Sequence, residues 1–124
     1  MKVSATKTFT FDCAHYLENY EGACANMHGH TYKLEVTVRR IGKSLDEQQM
    51  VMDFSDLKKI VQEHILDKWD HATINEVEIY NPTAENMAID AARKLKGVLY
   101  GQDIAVERVR LYETPTSYVE VVSS

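Results

Sequence analysis

The 124-residue chain reads as an α+β protein: an antiparallel four-stranded sheet (ββααββ) with two helices on one face. Three observations predict it. Apolar and polar residues alternate with period two toward both ends of the chain. In two central stretches the apolar spacing lengthens to that of a helix. No linker, repeat or low-complexity tract interrupts the run, so residues 1–124 are expected to form a single domain.

In residues 2–15, Val3, Ala5, Phe9, Phe11, Cys13 and His15 share one face, broken by Lys7. Lys2, Ser4, Thr6, Thr8, Thr10 and Asp12 take the other, the pattern of a half-buried strand. Residues 16–27 lack periodicity, contain Gly22 and read as a loop. A second strand is expected at about 28–40, with Tyr32, Leu34, Val36 and Val38 against Thr31, Lys33, Glu35 and Thr37. Ile41-Gly42-Lys43-Ser44 forms its exit turn, extended by the polar run Asp46–Gln49.

The period then changes. Phe54, Leu57, Ile60, Val61 and Ile65 follow helical spacing, with Asp53 as cap and Asp56 near the positive end of the helix. A second helix spans about 83–100 on a stripe of Ala88, Ala91, Ala92, Leu95, Val98 and Leu99. Pro82-Thr83 marks its start and Gly101 its stop. Strands at about 104–113 and 118–122 close the chain around the turn Thr114-Pro115-Thr116-Ser117. Four strands and two helices make a thin protein. One sheet face and the edges need covering, so self-association into a homo-oligomer is expected.

Composition narrows the function classes. The net charge of −5 and the lack of any basic run argue against nucleic acid as a partner. No apolar stretch reaches membrane-spanning length, and the first residues carry no apolar leader segment. Two cysteines do not make a disulfide framework, so a reducing cytoplasmic setting is expected.

The strongest chemical signal is His28-Gly29-His30 at the head of a strand. Residues i and i+2 project to the same side, so both imidazoles reach one ion. Antiparallel pairing with the first strand would bring His15 beside them. Three histidines without a fourth protein ligand are the open pattern of catalytic zinc, Zn2+. Imidazole also suits iron, copper or nickel. Cys24, four residues before His28, reads either as a fourth ligand or as a thiol activated beside the metal. Cys13, on an apolar face, reads as a buried free thiol. Asp70-His71 is a carboxylate–imidazole pair of the kind used in proton transfer, and also of the kind found on exposed surfaces. Glu113 shares strand parity with Val109 and Leu111. That points it toward the apolar side, where a carboxylate suits a planar bidentate donor. The alternative is a strand-end acid bent to solvent. Glu85 is an ordinary first-turn acid.

Six motifs occur in order: Phe11-Asp12-Cys13-Ala14-His15, Cys24-x-x-x-His28-Gly29-His30, Asp53-Phe54, Asp70-His71, Pro82-Thr83-Ala84-Glu85-Asn86 and Tyr112-Glu113-Thr114. Together they resemble the 6-pyruvoyltetrahydropterin synthase superfamily over nearly the whole chain. The resemblance implies the tunnelling fold, whose subunits join sheets into a β-barrel, as trimers stacked into hexamers with sites between subunits. It implies zinc on His15, His28 and His30, with Cys24 as catalytic thiol and Asp70 and His71 as its proton-transfer partners. By the same resemblance Glu113 anchors the pterin's amino-pyrimidine edge, Thr83 lies beside the pterin, and Glu85 falls in a conserved motif of the family. Biopterin-type members place five residues between the cysteine and His-Gly-His, and a folate-salvage branch uses a glutamate. The three-residue spacing here is similar to the branch forming 6-carboxytetrahydropterin, acetaldehyde and triphosphate from 7,8-dihydroneopterin triphosphate for queuosine biosynthesis. One departure is Gln49, where a glycine is more usual.

Overall fold

The computed structural model describes residues 1–123. Its order is β1 (Ser4–His15), β2 (His28–Arg40), α1 (Phe54–Val61), α2 (Asp67–Trp69), α3 (Ile74–Val77), α4 (Ala84–Tyr100), β3 (Ile104–Thr114) and β4 (Ser117–Val122). The four strands form one antiparallel sheet in the order β1-β2-β3-β4.

Alternation decides which face is covered. Phe9, Phe11, Cys13 and His15 of β1 are buried, as are Tyr32, Leu34, Val36 and Val38 of β2 and Val109 and Leu111 of β3. The helices lie on this face, and their apolar side chains join the same core. Phe11 stacks on Tyr32 with centroids 5.2 Å apart, and Trp69 closes over Phe11 at 6.0 Å. Lys7, which breaks the apolar side of β1, has its ammonium 5.9 Å from the rings of both Phe9 and Phe54. A cation over aromatic faces keeps its charge in water while its stem covers apolar surface. Phe54 is accordingly 51% exposed and lies at the border of the core, a departure from the expected stripe.

The two long helices begin where their caps stand. Asp53 accepts the Ser55 N–H at 2.7 Å, and Thr83 accepts the Asn86 N–H at 3.1 Å. The first helix does not run evenly. After α1 it widens into a π-helical turn, Gln62–Leu66, before α2. The wider turn lets Ile65, Leu66 and Trp69 all face the core after Leu57, Ile60 and Val61. The short α3 and a 3-10 turn at Ala23–Ala25 are further elements beyond the expected set.

Polar groups lock this helical layer to α4. Glu78 accepts from Trp69 Nε1 at 2.7 Å and pairs with Lys94 at 2.8 Å and Lys68 at 3.2 Å. Lys94 also pairs with Asp90 at 2.9 Å, and Tyr80 donates to Asp90 at 2.8 Å. Burial raises the Glu78 carboxyl, but hydrogen bonds from Lys94, Trp69 and Lys68 outweigh it and hold it below its ordinary range.

Among the described residues, no helical layer covers the other sheet face. It carries a ladder in which Lys33 lies over Tyr112 at 4.3 Å, Tyr112 packs on Tyr118 at 4.7 Å, and Arg110 lies over Tyr118 at 4.9 Å. No helix among the described residues is long and apolar enough to cross a membrane.

Candidate metal centre and its surroundings

Strand register assembles the centre. Pairing of β1 with β2 sets His15 opposite His28 and Cys13 opposite His30. The three imidazole centroids are 4.6, 4.9 and 5.2 Å apart, and one ring nitrogen from each lies within 4.8 Å of the others. His15 is 1% exposed, while His28 and His30 are half-buried.

Hydrogen bonds fix which nitrogen each ring presents. His15 Nδ1 is 2.7 Å from the Pro82 carbonyl, and His28 Nδ1 is 2.7 Å from the Asn26 carbonyl. A carbonyl only accepts, so both Nδ1 atoms carry the proton and both Nε2 atoms keep their lone pairs. His30 Nε2 is buried without a hydrogen-bond partner. Burial lowers the His30 pKa more than the nearby Glu113 charge raises it, which favours the neutral ring a metal requires. An orphaned nitrogen beside two tautomer-locked imidazoles fits a metal ion of the imidazole-binding class.

Glu113 comes close to this cluster. Its carboxylate is 3.5 Å from His30 Nε2 and 4.0 Å from His15 Nε2, with the side chain 30% exposed. It faces a cavity of about 500 Å3 lined by His30, Tyr32, Lys33 and Tyr112. A second cavity, of about 470 Å3, lies across the metal strand and is lined by Cys13, Gly29, His30 and His71.

The two cysteines differ. Cys13 is buried, and its thiol is pushed up to about 12 by burial first and then by Asp70, Asp12 and Glu113, so it stays protonated and inert. Cys24 is half-buried in the 3-10 turn Ala23–Ala25, and its thiol stands outside the three-imidazole cluster. Its loop is tethered. The Leu17 N–H donates to the Cys24 carbonyl at 2.9 Å, while Tyr16 and Glu18 donate main-chain N–H bonds to the Asn75 and Asn81 side chains.

Asp70 and His71 follow α2. His71 Nδ1 is 3.1 Å from Asp70 Oδ1, and the His71 side chain is 79% exposed. The pair therefore combines both sequence expectations, being coupled and also solvent-accessible. The loop docks on the edge of β1 through His71 N–H to the Asp12 carbonyl at 2.6 Å and Ala14 N–H to the Ala72 carbonyl at 2.9 Å. His71 has φ +62°, an uncommon conformation for a residue with a side chain. Thr83 is half-buried and spends its hydroxyl on capping α4, and Glu85 is exposed on the first turn. The Pro82 and Asn26 carbonyls and Asp12 also belong to this region, and no side-chain pattern in the sequence singles them out for it. Only the start signal Pro82-Thr83 hints that the entry to α4 is fixed in place.

Comparison with known proteins agrees with this geometry. The family model described as 6-pyruvoyl tetrahydropterin synthase matches residues 4–124. The chain is 39% identical to a 6-carboxy-5,6,7,8-tetrahydropterin synthase of Haemophilus influenzae, over 93% of this chain and 95% of that one. It is 34% identical to a dihydroneopterin monophosphate aldolase of Pyrococcus furiosus, over 91% of each. The structure superposes on a Caenorhabditis elegans 6-pyruvoyl tetrahydropterin synthase with TM-score 0.84 at 30% identity, covering 98% and 96% of the two chains.

Proposed function

The chain belongs to the 6-pyruvoyl tetrahydropterin synthase family, and from that premise we propose that it is a zinc-dependent 6-carboxy-5,6,7,8-tetrahydropterin synthase. The substrates would be 7,8-dihydroneopterin triphosphate and one water, and the products 6-carboxytetrahydropterin, acetaldehyde and triphosphate, in queuosine biosynthesis. The observation that carries the reading is the open centre: three imidazoles converge while Cys24 stays outside them. Such a centre leaves coordination positions for substrate. The three-residue spacing between Cys24 and His28, with the Haemophilus relative, favours the carboxy product over the pyruvoyl one.

His15, His28 and His30 would hold the ion, which when bound supplies Lewis acidity toward side-chain oxygens of the substrate. Glu113 accepts hydrogen bonds from the amino-pyrimidine edge and sets the distance from ring to metal. Cys24 as thiolate removes a side-chain proton beside the ring. His71, held by Asp70, exchanges the second proton, and its exposure leaves it open to re-protonation from solvent. Thr83 stands beside the pterin while capping α4, and Glu85 keeps its first-turn place. A homo-oligomer, a hexamer built as a dimer of trimers, would bring sheets of neighbouring chains around this site. Two free thiols are in keeping with a cytoplasmic setting.

The test is incubation of zinc-loaded protein with 7,8-dihydroneopterin triphosphate and identification of the products. Acetaldehyde with 6-carboxytetrahydropterin is the expected result. A pyruvoyl product without acetaldehyde would move the chain to the pyruvoyl branch. The Pyrococcus relative motivates a second reading, aldol cleavage of dihydroneopterin monophosphate. Faster turnover of the monophosphate than of the triphosphate would establish it instead.

A further inference from the structure

We propose that Asp12 is a positioning residue for the Asp70–His71 pair and that Thr31 holds Asp12 in place. The proposal rests on the reading of that pair as the proton-transfer partners of Cys24.

One residue touches every part of the arrangement. The Asp12 main-chain N–H donates to Asp70 Oδ1 at 3.0 Å, and its carbonyl accepts the His71 N–H at 2.6 Å. Its carboxylate accepts the Thr31 hydroxyl at 2.5 Å. Thr31 pairs with Asp12 across the β1–β2 ladder and directly follows His30. Oxygens of Asp12 and Asp70 and a ring nitrogen of His71 all lie within 4.8 Å of one another. Asp12, Thr31 and His71 line the same cavity as His30.

The pair needs such a hold. His71 sits at φ +62°, a conformation that surrounding bonds must maintain, and its side chain is too exposed for packing to fix it. The direct holds on His71 are Asp70 on its ring and Asp12 on its amide, with the Ala14 N–H bond to the Ala72 carbonyl one residue further on. The β1–β2 ladder and the Thr31 hydroxyl together tie Asp12 to the strand that carries His28 and His30, and so set where His71 stands relative to the metal centre. Misplacement of a reacting group by about 1 Å is enough to cost as much as 100-fold in rate.

The experiment uses zinc-loaded full-length protein with Asp12→Ala, Asp12→Asn, Thr31→Val, Thr31→Ser and the double variant Asp12→Ala/Thr31→Val. Asp12→Ala and Thr31→Val are expected to lower kcat about 5- to 20-fold, with KM within about twofold and zinc content unchanged. Asp12→Asn keeps an acceptor for Thr31, and Thr31→Ser keeps the donor, so both should retain most of kcat. The double variant should be no slower than the slower single, the mark of one shared interaction. Amide exchange at His71 should quicken in Asp12→Ala and Thr31→Val. Wild-type kcat in Thr31→Val, additive losses in the double variant, or Asp12→Asn as slow as Asp12→Ala would overturn the proposal. Should wild-type protein turn over no pterin, the functional reading fails by itself. Amide exchange then decides the positioning claim, which unchanged His71 protection in both variants overturns.

Discussion

Two carbonyl oxygens decide what His15 and His28 offer. By accepting from Nδ1, Pro82 and Asn26 leave both Nε2 lone pairs unprotonated within one cluster of imidazoles. Replacing His28 with Ala is expected to reduce zinc to well below one ion per chain, read by metal analysis of dialysed protein. Chelation should lower the Tm of wild-type protein, because a ligand held only by the folded state stabilises it by about 2.7 kcal/mol at 100 times its Kd. The same chelation should leave His28→Ala unmoved. Cys24→Ala separates thiol chemistry from ligation. It should keep zinc at the wild-type ratio and lose about 100- to 10,000-fold in turnover, the range for a removed proton-transfer group. Loss of zinc together with fold would instead make Cys24 a structural ligand. At this scale the sequence is a good guide to side chains that alternate along strands: parity and register were enough to group His15, His28 and His30. It is mute about main-chain partners such as the Pro82 carbonyl, because any residue type can supply one.

Turns and helices carry their own tests. Gln49 stands at φ +66°, at the position where the resemblance to the family makes glycine the more usual residue. A residue with a Cβ is strained there by roughly 1–2 kcal/mol, while glycine gives back part of that through a freer unfolded chain. Gln49→Gly is expected to raise the urea midpoint by an amount equivalent to about 0.5–1 kcal/mol. Glu78 ties Trp69 at the end of α2 to Lys94 on α4. Its carboxyl titrates lower in the folded chain than in the unfolded one. The stability it contributes is therefore complete above the ordinary glutamate pKa of about 4.3 and drains away as pH falls through the lower folded value. Glu78→Gln should destabilise the protein at pH 7 by about 1–3 kcal/mol and flatten the acid limb of its stability curve. The cap at Asp53 and the helix start at Pro82-Thr83 were legible because helix beginnings have a local signature. The π-helical turn at Gln62–Leu66 was not, since it answers to how Ile65, Leu66 and Trp69 fit a core formed by distant strands. Phe54 escaped the expected stripe for a similar reason, its place being set by Lys7 from β1.

At the scale of the molecule, the sheet has one face under helices and one bearing the Lys33–Tyr112–Tyr118–Arg110 ladder. Sedimentation at micromolar concentration is expected to give a species six times the 14.2 kDa chain mass. A monomer at that concentration would remove the proposed assembly and, with it, any site shared between chains. The order of elements was readable from the two hydrophobic periods, but which strands become neighbours is a property of the closed sheet. Here β2 lies beside β3 although the whole helical layer intervenes, so Arg40 meets Ile104. That pairing divides the chain by the time needed to form contacts. The β1–β2 and β3–β4 pairs are local, whereas the seam between them closes a long loop at higher entropic cost. All three imidazoles belong to the first local pair, whereas Pro82 lies in the helical layer that the seam encloses and Glu113 on β3. An ion bound there would therefore rest on ligands drawn from one local strand pair, while the proline carbonyl and the carboxylate beside it are supplied by chain that lies further on.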